Sequence, residues 1–349
     1  MSQIPFITVI IPARNESAFI EETLRAAALQ TYPQDLYEIL VADGNSTDDT
    51  RQKITQFAAR HKTPRIEVFN NPKQTMPSGF NLALGAAKGE IIIMMSAHAN
   101  MAEDYLEQCA DFLSQHLEAS CVGGAITTLS QDKKSKVIAL AMSSIFGVGN
   151  SSFRTGLNAT AKTDSAVFAA YRRGVFEKIG GLDEEMIRNQ DDEFNYRLRE
   201  YGGEIYSTPK IRSFYYSRAT LGGLWKQYFQ YGFYKVRVLQ KHPRQMSLRQ
   251  FVPPLFVLAL LFSSLLSILP ATRSLSLVVP AAYLLANLAA SLMTAYKNKI
   301  LFRPSFFILP IAFAILHISY GLGFLAGLFK FWNRWGDKNG KTPSIEPLP

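Results

Sequence analysis

FITVIIPARNE, residues 6–16, is the stretch on which the fold turns. Phe6–Ile11 is a β-branched run closed by Pro12, which reads as a parallel strand buried on both faces. From Glu16 to Leu29, Phe19, Ile20, Leu24 and Ala27 fall at helical spacing. The same unit then recurs. Tyr37–Ala42 predicts a second strand, followed by Asp43-Gly44-Asn45-Ser46-Thr47-Asp48, where Ser46 or Thr47 can cap a helix ending near Arg60. Arg65–Phe69 reads as a third strand, Pro77–Lys88 as a helix and Glu90–Met95 as a fourth strand. Such alternation implies an α/β domain with a mostly parallel sheet and helices on both faces. In these sheets ligands sit at the carboxyl ends of the strands. Pro12–Glu16, Asp43–Asp48, Asn70–Gln74 and Ser96–His98 are therefore the candidate segments.

Composition narrows the partners. The chain has 349 residues, enough for one large domain and an appendage, and a formal charge of +9. That charge points to an anionic partner such as a phosphorylated substrate or a membrane surface. Hydrophobic residues make up 48% and are unevenly placed: residues 1–250 read as a soluble domain, and 251–330 are almost wholly apolar. Met1-Ser2-Gln3-Ile4-Pro5 lacks the basic start of a signal peptide, so residues 1–250 are expected to stay in the cytoplasm. Cys109 and Cys121 are expected as reduced core residues, and no Cys/His spacing resembles a zinc site.

PARNE (12–16), DGNSTD (43–48) and SAH (96–98) resemble, in order and spacing, the strand-end segments of family 2 nucleotide-sugar glycosyltransferases. The resemblance implies a GT-A-type domain whose first segments cradle a nucleoside-diphosphate sugar. Pro12, Arg14, Glu16, Asp43, Gly44 and Lys73 are then the donor-binding candidates. A carboxylate such as Asp43 can accept from a base imide, Glu16 can reach ribose hydroxyls, and Gly44 allows close backbone approach. Asp43–Ser46 also reads simply as a turn with a helix cap. The family's Asp-x-Asp metal motif stands here as Ser96-Ala97-His98. Both carboxylates are gone, leaving His98 as the implied ligand of a divalent cation, manganese or magnesium; imidazole suits manganese better.

Farther on, Gly180-Gly181-Leu182-Asp183-Glu184 precedes a helix-starting Asn189-Gln190-Asp191-Asp192-Glu193. The family places a Glu-Asp pair here, so Asp191 takes the catalytic position and Gln190 replaces the Glu. An inverting transfer needs one base for the acceptor hydroxyl. The competing reading is an acidic first turn stabilised by the helix dipole. SSFRTG (151–156), TDSAVFAAYRRGVFEKIGGLDEEMIRNQDDEFNYRLRE (163–200), YYSRATLGGLWKQYFQYGFYK (215–235) and KHP (241–243) narrow the resemblance to the succinoglycan-biosynthesis (ExoA-like) branch. That branch usually keeps a first Asp where this chain has Ser96.

Arg154 and Arg218 are candidate phosphate binders for an acceptor, since guanidinium matches phosphate oxygens bidentately. Asp164 and Gln227 complete the acceptor set. Leu224–Lys241 alternates aromatics with Lys226, Lys235, Arg237 and Lys241, which suits an interfacial helix or one packed on the core. A Gln-x-x-Arg-Trp motif is absent, which argues against processive synthesis.

Val252–Pro270, Leu275–Tyr296 and Ser305–Phe329 are each long enough to cross a bilayer. Basic residues at 235–249 and 297–303 place both ends of the first hairpin inside. A third crossing would put Lys330, Arg334, Lys338 and Lys341 outside, against that rule. Pro310 and the Gly321/Gly323/Gly327 series favour a re-entrant hairpin with a cytoplasmic tail. The expected division is a catalytic domain at 1–222, an interfacial region at 223–250, a membrane domain at 251–330 and a polar tail at 331–349.

Together these readings predict an inverting, multi-pass inner-membrane hexosyltransferase with its catalytic domain in the cytoplasm. It would move a hexose from a UDP-linked donor to a polyprenyl-diphosphate-linked saccharide in exopolysaccharide or surface glycan synthesis. A polyprenyl-phosphate sugar synthase and a non-catalytic nucleotide-sugar-binding scaffold are the alternatives. No nucleic-acid partner is expected.

Overall fold

The computed structural model describes residues 4–129, 132–149, 158–216, 220–268, 270–301 and 303–335. Packing divides the chain into two compact units, one within Met1–Thr127 and Gly156–Tyr216, the other within Thr128–Thr155 and Ser217–Lys338. The linear boundary expected at 222 and this division differ at residues 128–155 and 217–222, which join the second unit.

The first unit opens with β1 (Ile7–Ala13), α1 (Ile20–Ala28), β2 (Tyr37–Asp43), α2 (Thr50–Arg60), β3 (Arg65–Asn70), α3 (Met76–Ala86) and β4 (Ile91–Met94). After β5 (Ala99–Met101) come α4 (Tyr105–Gln115) and β6 (Ala119–Leu129), whose last residues reach the second unit. The strands lie in the order β3-β2-β1-β4, all parallel, with Ile7 opposite both Tyr37 and Ile91. The apolar runs explain this. Ile7, Val9, Ile11, Ile39, Val41, Ile91 and Ile93 face a core that includes Ile20, Leu24, Ile54 and Leu106. The alternate residues Ile10, Leu40, Ile92 and Met94 face another, with Phe80, Leu84, Phe176 and Phe194. Burial of each large side chain contributes on the order of 1.5–3 kcal/mol.

The sheet continues beyond β4 with antiparallel pairing and is therefore mixed. Its further elements are β7 (Ala161–Lys162), β8 (Ala170–Arg172), α7 (Arg173–Ile179), α8 (Gln190–Glu200) and β9 (Glu204–Tyr216). β8 pairs antiparallel with β4 and β6, and β9 with β5 and β7. Cys109 and Cys121 are buried free thiols, and burial pushes both well above the usual thiol range.

Two local expectations shift. The first helix starts at Ile20 rather than Glu16, because the Glu16 carbonyl accepts from Phe19 and Ile20 N–H in a turn. The second starts at Thr50 with Asp49 as N-cap, so neither Ser46 nor Thr47 caps it.

The second unit contains α5 (Lys133–Met142), α6 (Ile145–Val148), α9 (Leu221–Lys241), α10 (Val252–Leu266), α11 (Val278–Lys297) and α12 (Ile308–Lys330). Leu248–Leu266, Leu275–Lys297 and Pro304–Lys330 are long and apolar enough to cross a membrane. The re-entrant hairpin is corrected: α12 is one continuous helix. Pro310 lies in its first turn, where a missing N–H costs little. The glycines serve close helix packing instead. A Cβ at Gly323 would lie 2.0 Å from the Phe229 carbonyl, and one at Gly232 would lie 2.0 Å from the Tyr320 carbonyl.

Several polar atoms among these helices pair with one another. His317 Nδ1 lies 2.9 Å from the Tyr283 hydroxyl and Nε2 lies 2.8 Å from the Phe146 carbonyl. Asn287 Nδ2 donates to the Pro310 carbonyl at 3.0 Å, and Ser291 donates to Asn287 at 3.2 Å. α9 buries Lys235, Arg237 and Lys241, and the Arg237 guanidinium stands 5.7 Å from the Phe331 ring.

Candidate active site

The register Ala13–Asp43–Asn70 brings the carboxyl ends of β1, β2 and β3 level. Asp43 is wholly buried there. Its Oδ1 accepts from Ser46 Oγ at 2.6 Å, and its Oδ2 accepts from Arg51 Nη1 at 3.2 Å. The loops after β1 and β2 clamp one another. Asn15, in the left-handed region (φ 54°), accepts from Thr47 N at 2.8 Å. Glu16 N donates to Thr50 Oγ1 at 2.8 Å, and Ser17 N donates to Asp48 Oδ2 at 3.2 Å.

Burial acts to raise the Asp48 pKa, but bonds from Thr50 and Ser17 outweigh it and hold the group at about 2. The stabilisation from that lowered pKa is full above the ordinary carboxylate value and is lost as pH falls toward about 2. Gly44 N donates to the Ala13 carbonyl at 2.8 Å, and a Cβ on Gly44 would meet Arg14 Cβ at 3.3 Å. The glycine therefore lets the two loops approach each other. Pro12 pairs with Ala42 in the sheet, and Arg14 Nη1 reaches the Gln74 carbonyl at 3.5 Å.

Removing the Asp43 carboxylate leaves Ser46 Oγ without this acceptor and Arg51 with Asn70 Oδ1 at 3.4 Å in its place. Asp43→Ala is expected to cost about 1–3 kcal/mol of stability, read as a lowered thermal midpoint in detergent. An unchanged midpoint would show that the loop clamp does not depend on this group.

Ser96 and His98 follow β4. His98 Nδ1 lies 2.8 Å from Glu16 Oε1 and 3.3 Å from Ser96 Oγ. A carboxylate only accepts, so with the ring neutral Nδ1 carries the proton and Nε2 presents its lone pair. The ring packs edgewise on Tyr215 at 5.3 Å, the residue β9 sets opposite Ala99. Among the described residues no three His, Cys, Asp or Glu side chains converge. His98 Nε2 would thus offer a divalent ion one ligand. A carboxylate that fixes the far nitrogen of a ligating histidine is the usual support for such a bond, and the donor set fits on that ground.

Asp191 stands in the first turn of α8, with Asp192 and Glu193. Its Oδ1 accepts from Asp192 N at 2.9 Å. Three anchors fix this helix. Arg197 holds the buried Glu193 through two nitrogens at 2.7 and 3.0 Å and also bonds the Gly181 carbonyl. Asn195 accepts from Tyr171 Oη at 2.9 Å and donates to Ser165 and Ala166. Gln190 Nε2 lies 3.6 Å from Met76 Sδ, at the start of α3. The N-terminus of α8 therefore meets the edge where β3 ends. Gln190 Oε1 is buried without a partner among the described residues.

Lys73 Nζ pairs with Glu184 Oε2 at 2.7 Å, and Asn81 bonds both the N–H and the carbonyl of Leu182. The Gly180–Glu184 segment is thereby sewn to α3. Asp164 is almost fully exposed and lies 3.6 Å from Arg199. Gln227 belongs to α9 in the second unit. Its Nε2 donates to Tyr231 Oη at 2.9 Å, and its buried Oε1 has no partner among the described residues. Arg154 and Arg218 lie outside the described residues.

The structure thus gathers Pro12, Arg14, Glu16, Asp43, Gly44 and His98 at the carboxyl edge. Sequence reasoning missed Arg51, Asn81 and Tyr215, whose partners lie on other elements and leave no periodic signal. The Glu16–His98 pairing was equally hidden.

The Glycosyl transferase family 2 profile matches residues 8–180. The chain is 30% identical over 329 residues to the succinoglycan biosynthesis protein ExoA of Rhizobium meliloti (strain 1021), covering 93% of this chain and 96% of that one. It is 28% identical over 331 residues to the dolichyl N-acetyl-alpha-D-glucosaminyl phosphate 3-beta-D-2,3-diacetamido-2,3-dideoxy-beta-D-glucuronosyltransferase of Methanococcus voltae, covering 93% and 98%. Among solved structures it resembles the mannosyltransferase PcManGT from Pyrobaculum calidifontis in complex with GDP-Man and Mn2+. The TM-score is 0.58 at 20% identity, with 93% of this chain and 88% of that one covered.

Proposed function

The chain belongs to glycosyltransferase family 2, in its succinoglycan-biosynthesis branch, and from that premise we propose an inverting transfer of a hexose from a UDP-linked donor to a polyprenyl-diphosphate-linked saccharide. One observation carries the chemistry: Asp191 is held in the first turn of α8 by a helix anchored to the carboxyl edge of the sheet. There its carboxylate takes the proton of the acceptor hydroxyl as that oxygen bonds the anomeric carbon. The bond from that carbon to the diphosphate oxygen breaks on the opposite face, and UDP departs with the electron pair. Gln190 offers its unfilled acceptor oxygen to a hydroxyl of the incoming sugar.

The loops after β1 and β2 hold the nucleoside, with Asp43 setting Ser46 and Arg51 in place. His98 would hold a divalent cation, manganese above magnesium, with Glu16 fixing its ring. Such an ion, when bound, neutralises the diphosphate leaving group. Lys73 is tied to Glu184 by a half-exposed pair worth about 0–1 kcal/mol, so it can turn to the diphosphate at little cost.

The apolar helices and the relatives support a lipid-linked acceptor. The Methanococcus voltae enzyme is by its name a dolichyl-linked sugar transferase, and ExoA by its name serves succinoglycan biosynthesis. We place the protein in the inner membrane with the catalytic domain, within residues 1–222, on the cytoplasmic side.

The test is an assay of the purified full chain with nucleotide sugars and lipid-linked acceptors. Inverted transfer from a UDP-hexose to a polyprenyl-diphosphate saccharide is the expected result. Transfer to bare polyprenyl phosphate would replace this reading with a polyprenyl-phosphate sugar synthase. UDP binding without any transfer would replace it with a scaffold.

A further inference from the structure

We propose that Glu184 is a positioning residue for the donor. It holds Lys73 before the donor binds, yields it to the donor diphosphate, and takes it back as UDP leaves. The proposal rests on the donor reading given above and adds to it a residue with no part in the transfer step. Every contact used lies within the first unit.

The loop between β3 and α3 fixes the backbone of Lys73 and leaves its side chain loose. Asn71 N donates to the Asp43 carbonyl at 2.8 Å. The buried Asn71 side chain donates to the Thr75 carbonyl at 2.8 Å and accepts from Ser78 Oγ at 3.0 Å. Gln74 sits in the left-handed region (φ 59°), and its N–H donates to the Asn71 carbonyl at 3.1 Å. Its backbone touches both nucleoside loops. The carbonyl lies 3.5 Å from Arg14 Nη1, and a Cβ on Gly44 would lie 3.4 Å from the Gln74 Cα. Lys73 is thus rooted beside those loops. Its side chain is 69% exposed, a point charge on a flexible four-carbon stem.

Glu184 is the fixed partner. Its side chain is only 26% exposed. Oε1 accepts from Asn81 Nδ2 at 3.3 Å, and Asn81 also bonds the N–H and the carbonyl of Leu182, each at 2.8 Å. A Cβ at Gly181 would lie 2.4 Å from Asn81 Oδ1, so this segment and α3 are in close contact. Oε2 carries the bond to Lys73 Nζ at 2.7 Å. One oxygen anchors the acid and the other meets the lysine. Of the two partners, the lysine is the one that can leave.

Charge then sets a competition. A diphosphate that takes Lys73 must draw it from a carboxylate that stays where it is, and the two anions repel. The cost falls on the donor before transfer and on UDP after it. Binding that is weakened alike in both states leaves the chemical step unchanged. Glu184 therefore shortens the stay of UDP without slowing the transfer.

Calorimetry on the full chain in detergent tests this with UDP, and with uridine measured by its competition with UDP. Glu184→Gln removes the charge and keeps an oxygen for the bond from Asn81. It is expected to tighten UDP by about 2- to 5-fold, the range that a partly exposed pair allows. Uridine, which has no phosphate, should bind as before. Lys73→Met should weaken UDP and spare uridine, and adding Glu184→Gln to it should bring no gain. Unchanged or weaker UDP binding in Glu184→Gln overturns the proposal. A gain that persists without Lys73, or that uridine shares, also overturns it, because the effect would then not pass through the lysine. A parent chain that binds no UDP removes the donor reading itself, and this proposal with it.

Discussion

Asp191→Asn is expected to lower the transfer rate by about 10²- to 10⁴-fold, the usual loss on removing a positioned base. The amide keeps the shape of the side chain and its bond from Asp192 N, but it cannot take a proton. UDP affinity measured by calorimetry should stay close to that of the parent chain, because the nucleoside loops are built on β1 and β2. Asp192→Asn should cost far less. Both acids share one first turn, so a dipole effect would weaken the two variants alike. Equal, modest losses would remove Asp191 from the chemistry.

His98→Ala is expected to abolish Mn2+ binding in the presence of UDP, followed by electron paramagnetic resonance. Glu16→Gln should lower Mn2+ affinity by about 10- to 100-fold, as loss of an orienting partner does. UDP affinity without metal should then be unchanged. The sequence assigns Glu16 to the ribose, whereas in the structure its carboxylate holds the imidazole. If Glu16→Gln weakens metal-free UDP binding and spares Mn2+, the ribose role is the right one. Mn2+ binding that survives His98→Ala would mean that the altered Ser96-Ala97-His98 motif no longer holds metal.

The parallel half of the sheet was legible because buried parallel strands are written as unbroken apolar runs. Ile7–Ala13 starts one residue and ends two residues later than expected, and Tyr37–Asp43 starts as expected and ends one residue later. The antiparallel half was not. β5, β7 and β8 have two or three residues each, too few to show a period. β9 carries Pro209 inside a strand whose partners lie far away in sequence. The site divides in the same manner. Strand-end placement exposed Glu16, Asp43 and His98, but their couplings depend on which strands become neighbours. Glu16 and His98 are 82 residues apart, and Lys73 and Glu184 are 111 apart. The glycine series in α12 misled for a related reason. Glycine marks both a bend and a tight helix crossing, and only the neighbouring Phe229 and Pro253 carbonyls decide between them.

The excursion of residues 128–155 into the second unit governs how the protein must be made. Val137, Ile138, Ala141 and Met142 of α5 pack with Leu309, Phe313 and Leu316 of α12. On the ribosome the early segment emerges well before the late one, so its apolar face must wait through most of translation, open to chaperones or to self-association. The polypeptide ahead of residue 128 can condense at once, but the strand pairing of β8 with β6 closes a loop whose contents are still unpaired. A fragment ending before residue 250 would keep that face and lose the part of its cover that α12 supplies. Shortening the gene to obtain a water-soluble enzyme would therefore yield an aggregating one, and solubility would have to be sought by recoding α5 itself.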